Sequence, residues 1–121
     1  MATPDPTKAA IAAAETIRKI NHASLDGCLT APQVSAVIQS LTTMVDRLPQ
    51  ALEQLAAQLR QRQDQAQIRM DDGSEPDEAV RAVVAYLDDA AGDLAALSVS
   101  LHNAASPLFH MAHTDTKEIT A

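Results

Sequence analysis

One spacing constrains this chain more than any other feature. Val34, Ile38, Leu41, Val45, Leu48, Leu52, Leu55 and Leu59 follow one another in alternating steps of four and three without a fault. A repeat that averages 3.5 residues returns to one side of an α-helix, so these side chains form a stripe that a second helix can cover. A strand cannot present it, because strand side chains change face at every residue. A second stripe follows at Val80, Val84, Leu87, Ala91, Leu94, Ser98, Leu101 and Ala105, widened by Val83, Ala90 and Leu97. Two long helices with a short turn between them predict an antiparallel helical hairpin, and the fold class predicted is all-α with a three-helix architecture.

The residue usage points the same way. The chain has 121 residues, 46% of them hydrophobic, yet Tyr86 and Phe109 are its only aromatics. Ala and Leu mixed with Gln and Glu favour helix, since these side chains lose little rotamer freedom there. Only three glycines are present, which is little turn material for an all-β fold. The length is that of one helical domain, 1–121.

Local signals set the expected boundaries. Residues 1–6 are a proline-broken lead-in in which Asp5 can cap and Pro6 can open a helix over 7–23. Its apolar face is Ala10, Ala13, Ile17 and Ile20. A connector with Asp26-Gly27 leads to a second helix over 31–67, with Pro32 in its first turn. Gly73 breaks that helix, and Ser74 is expected to cap a third over 75–105, with Pro76 in its first turn. Asp77 and Glu78 then suit the positive end of the helix dipole. Gly92 suggests a close helix–helix contact, and Pro107 is expected to end the helix and begin a tail, 107–121.

Pro49 interrupts the first stripe. It removes one backbone donor, and its ring crowds the carbonyl of Val45. A loop there would shift the helical phase, yet Leu41, Val45, Leu48, Leu52 and Leu55 keep it. The expectation is one continuous helix kinked at Pro49, with the proline beside the stripe rather than on it.

The strings IRKINHASL (17–25), APQVSAVIQSL (31–41) and LPQALEQLAAQL (48–59) carry a resemblance. With the Gly-Ser turn and the Ala/Leu-rich helix after them, they resemble a group of small, uncharacterised all-helical bacterial proteins of high-GC Gram-positive genomes. The resemblance implies an Asn21-His22 helix end and a proline-bearing second helix, with Pro49 and Gln50, as shared structural features. It implies no activity. This chain departs from the commoner pattern at Ala23 and Ser35, where a Thr or an aromatic often stands.

Several chemistries have candidate residues, each with a plainer structural explanation. His22 could bind a ligand or metal, but Asn21 and His22 also suit the negative end of a helix dipole. His102, His110 and His113 lie near one another with Asp115, yet no second His or Cys pair accompanies them, and the helix stripes are aliphatic where a di-metal bundle needs inward Glu and His. The acidic run Asp71, Asp72, Glu75, Asp77 and Glu78 lacks the ligand alternation of an EF-hand loop. Cys28 has no neighbouring base to activate it, and a lone cysteine suits a reducing compartment. No phosphate loop or nucleophile elbow is present, so the chain is read as a non-enzyme with no cofactor and no metal.

A net charge of −7 works against nucleic-acid binding. CLTAPQVSAVIQSL faintly suggests a helix-turn-helix opening, but that helix is long and reaches its first arginine only at Arg47; Arg60, Arg62 and Arg69 have no aromatic companions. A small regulator acting on nucleic acid or on a DNA-bound protein, and a ligand- or metal-binding bundle, are the two weaker readings. The N-terminal twenty residues lack an unbroken apolar run, so neither a signal peptide nor a membrane span is expected, and the location expected is cytoplasmic.

Surplus apolar surface carries the main functional expectation. The third helix offers a stripe wider than one partner helix covers, while a monomer of Ala and Leu has a thin core. The chain is therefore read as a helical protein–protein interaction module that pairs with itself, as a homodimeric coiled-coil bundle, or with another helical protein. The surface expected is Leu41, Val45, Leu48, Leu52, Leu55 and Leu59 on the second helix. On the third it is Val83, Leu87, Leu94, Leu97 and Leu101.

Overall fold

A computed structural model of the protein describes residues 5–25 and 27–114. Three helices follow one another: α1 (Pro6–Leu25), α2 (Ala31–Asp64) and α3 (Pro76–Phe109). No strand occurs among the described residues, so the all-α class stands. Where the sequence suggests one domain, the chain divides into two compact units, Met1–Thr30 and Ala31–Ala121.

The first unit is α1. The Thr7 N–H donates to Asp5 Oδ1 at 3.0 Å, and the Ala9 N–H donates to the Asp5 carbonyl at 3.2 Å, so Asp5 caps the helix and Pro6 opens it. At the other end α1 runs two residues past the expected stop at 23, to Leu25. The Ser24 hydroxyl donates back to the Ile20 carbonyl at 2.7 Å and occupies one of the terminal acceptors. A Cβ at Gly27 would stand 2.8 Å from the Ser24 carbonyl oxygen, so the exit from this helix needs a residue without a side chain. No residue of α1 is buried.

The second unit is the hairpin of α2 and α3, which pack against each other along their length. α2 is a single helix through Pro49, as the unbroken phase predicts. It stops at Asp64 rather than at 67. The Gln67 N–H reaches the Arg62 carbonyl at 2.9 Å and the Ala66 N–H reaches the Gln63 carbonyl at 2.9 Å, with Ala66 in the left-handed region at φ 55°. These two bonds form a Schellman stop, which usually has glycine where Ala66 stands.

The turn into α3 is held by Asp72, whose Oδ1 accepts from the Ser74 N–H at 3.0 Å and from the Ser74 hydroxyl at 2.6 Å. The bonds from Ser74 hold the Asp72 carboxyl below its ordinary range. Because that hydroxyl serves Asp72, Ser74 is not the cap. Glu75 is, without a side-chain bond, and Pro76 follows in the first turn. Gly73 supplies the left-handed turn at φ +78°.

α3 continues through Pro107 to Phe109, which corrects the expected end at 105. Proline there removes one hydrogen bond in the last turns, and Leu108 stays on the half-buried stripe, so packing holds the extra turn. The Met111 N–H closes it on the Leu108 carbonyl at 3.1 Å. Gly92 has open space where a Cβ would be, so it marks no close contact.

The α3 stripe is the expected one: Val80 is buried, while Val84, Leu87, Ala91, Leu94, Ser98, Leu101 and Ala105 are half-buried. On α2 six of the eight expected positions are half-buried, Val34 and Leu41 among them, and Leu48 and Leu55 are not. The most covered positions of α2 are Ser35, Thr42 and Ala56, which are buried and alternate with the half-buried Ile38, Val45, Pro49, Leu52 and Leu59. Leu48 and Leu55 are 44% and 55% exposed. The steps 35, 38, 42, 45, 49, 52, 56, 59 also alternate three and four. They form an equally regular heptad rotated by one position, and small side chains at every second site let the helices approach. Pro49 thus sits on the contact, not beside it. Among the described residues Ala56 and Val80 are the buried apolar ones, and no large side chain is fully buried.

Candidate functional site

The candidate site is the face of the hairpin that the internal contact leaves open. One polar clasp orients it. Asp46 of α2 accepts a 2.5 Å hydrogen bond from the Ser98 hydroxyl of α3, and its other oxygen lies 3.3 Å from His102 Nε2. Asp46 and His102 therefore share one side of the hairpin. Successive residues turn by about 100° around a helix, which puts Leu48 across the buried stripe of α2 from Asp46. The same rotation puts Leu97 across the stripe of α3 from His102. Leu48 and Leu97 therefore share the opposite side.

The rest of that side follows by heptad steps. Leu41, Leu48 and Leu55 line its α2 edge, and Val83, Ala90, Leu97 and Ala104 line its α3 edge. Exposure agrees, since Val83 and Leu97 are 42% and 45% exposed while Leu41 and Ala90 are half-buried. Met44 and Tyr86, both exposed, stand at the outer margins. Between Leu41 and Leu55, and between Ala90 and Ala104, neither edge carries a charge at its heptad positions. The two edges form an apolar strip on the surface of the hairpin, flanked on α3 by the exposed Asp93.

The two sides differ in chemistry. On the clasp side the Gln63 amide donates to Asp77 Oδ1 across the two helices, and Gln63 Oε1 is shielded without a protein partner. Beside it an open groove of about 260 Å³ is lined by Arg60, Gln63, Asp64, Asp77, Val80 and Arg81. Its arginines stand among aspartates, so its charges balance.

The expected interaction residues thus fall into two sets. Val45, Leu52, Leu59, Leu87, Leu94 and Leu101 serve the hairpin's own contact, half-buried between its helices. Leu41, Leu48, Leu55, Val83 and Leu97 make the open face. Asn21 and His22 are exposed in the last turns of α1, and Gln50 is exposed on α2. His110 is the C-cap of α3, edge-on to the Phe109 ring at 5.5 Å, and His102 is engaged with Asp46, so the C-terminal histidines do not converge. Asp115 lies outside the described residues. Among the described residues no three His, Cys, Asp or Glu side chains group as a metal site would require. Cys28 is a free, exposed thiol. Among the described residues no helix is long and apolar enough to cross a membrane.

The clasp is not legible in the sequence. The pairing of Asp46 with Ser98 and His102 spans more than fifty positions and leaves no local signal. No protein-family profile, curated protein or solved structure matches the chain.

Proposed function

We propose that this protein is a non-enzymatic helical interaction module that docks another helical surface on the face formed by Leu41, Leu48, Leu55, Val83 and Leu97. The observation that carries the reading is the exposure of Leu48 and Leu97 side by side on a hairpin whose own contact is already made by other residues. Burying the exposed part of each such side chain is worth roughly 1 kcal/mol, and two facing helices are the simplest partner for an apolar strip that runs along a helix pair. The free thiol of Cys28 fits a reducing, cytoplasmic setting. The net charge of −7 and the balanced groove favour a protein partner over a nucleic acid.

A photo-crosslinking residue placed at Leu48 tests the reading in cells, with the same residue at Glu53, on the clasp side, as its control. Adducts at position 48 and few at 53 are expected. Absence of adducts at 48, or equal yields at both positions, would reject the docking face.

A further inference from the structure

Resting on that reading, we infer that the occupant of the open face is a second copy of this chain, set so that α2 of one copy lies on α3 of the other. Three observations lead there. The first is area. From Val83 to Ala104, the longer edge of the face, a helix spans about 32 Å, and two helices side by side are about 20 Å wide. The face is thus roughly 600 Å² per copy, and two together bury about 1,200 Å², the lower end of the range of stable protein–protein interfaces.

The second is the thin core. Ala56 and Val80 are the buried apolar residues of the hairpin, and no large side chain is fully enclosed. A hairpin so poorly buried needs a partner that is always present, and the chain's own second copy meets that need at matching concentration. A transient partner would leave it half-covered for much of its lifetime.

The third is charge, which selects the arrangement. α2 carries three arginines against Asp46, Glu53 and Asp64, a net of zero. α3 carries five carboxylates against Arg81, a net of −4 with His102 neutral. A two-fold axis across the helices would lay α3 along α3 and set the two acidic helices together. An axis parallel to the helices sets each α3 on the neutral α2 of the other copy, with the acidic pair on the diagonal. The clasp residues number 46 and 98, which sets the register within the hairpin. In the second arrangement that same register brings Leu48 of one copy opposite Leu97 of its partner, in an antiparallel four-helix bundle.

The test uses the full chain. Sedimentation equilibrium of the unmodified protein at tens of micromolar is expected to give a dimer. Two variants then fix the geometry, each with Cys28→Ser, one with Leu48→Cys and one with Leu97→Cys. Under mild oxidation the mixture should give a covalent heterodimer at least several-fold above the self-linked product of either variant alone. A monomer in sedimentation overturns the inference. So does efficient self-linking of the Leu48→Cys protein, which would place α2 on α2. A monomer whose position 48 still crosslinks to another protein in cells removes the second copy as occupant while leaving the interaction module standing. Loss of both removes both.

Discussion

The Asp46 carboxylate joins the two long helices by taking the Ser98 hydroxyl on one oxygen, at 2.5 Å, and the His102 imidazole on the other, at 3.3 Å. The hydrogen bond from Ser98 is the main cause that lowers the Asp46 pKa, with desolvation opposing it and His102 adding to it. A carboxyl whose pKa is lower in the folded state stabilises that state above its unfolded pKa. The contribution fades as pH falls through the folded value. Asp46→Asn should therefore melt at a lower temperature than the wild type near pH 7. The difference should shrink as pH falls below the ordinary aspartate range of about 4. Circular-dichroism melts from neutral to strongly acid pH would show this, and a gap that stays constant would mean the clasp makes no ionic contribution.

The approach of α2 to α3 depends on a small residue at position 56, where Ala56 is 1% exposed. Ala56→Leu should force the helices apart at a cost of about 1–3 kcal/mol. Ala51→Leu makes the same change of side chain at an exposed site of the same helix and should stay within about 0.5 kcal/mol of wild type. Urea denaturation of both variants distinguishes them. Equal effects would show that the rotated heptad is not the packed one.

These two positions also show what could be read from the sequence. Helix number, the hairpin and the continuity of α2 follow from apolar spacing and from few glycines. The face that α2 turns inward does not, because two heptads coexist on it, one rich in leucine and one made of Ser35, Thr42, Pro49 and Ala56 alternating with the shared Ile38, Val45, Leu52 and Leu59. Hydropathy selects the first, whereas close helix approach selects the second, which puts Leu48 and Leu55 outside. On α3 the pattern has no such competitor, and its stripe was legible throughout. The clasp required knowledge of register across the turn. The extension past Pro107 required knowing that Leu108 stays on the packed stripe, which outweighs one lost hydrogen bond.

Ala66 closes α2 in a left-handed conformation at φ 55°, which costs a residue with a Cβ roughly 1–2 kcal/mol. Glycine relieves that strain but frees the unfolded chain, which takes back part of the gain. Ala66→Gly should accordingly stabilise the protein by about 0.5–1 kcal/mol with no loss of helix. A midpoint shifted downward in urea would show that the Schellman stop is not what ends this helix.

Pro49 occupies the contact with α3 and leaves the Val45 carbonyl without its helical donor. Pro49→Ala restores that bond and removes the ring's crowding, a change worth about 3 kcal/mol in a helix interior. The half-buried ring is lost at the same time, at a cost of about 1–2 kcal/mol of apolar burial. The variant should gain roughly 1–2 kcal/mol, while its far-UV ellipticity stays near that of the wild type because α2 is already continuous. Its curvature should change, and with it the fit of the open face, so association measured by sedimentation should respond more than helix content does. A marked drop in helicity would mean that the proline begins a helix and does not lie within one.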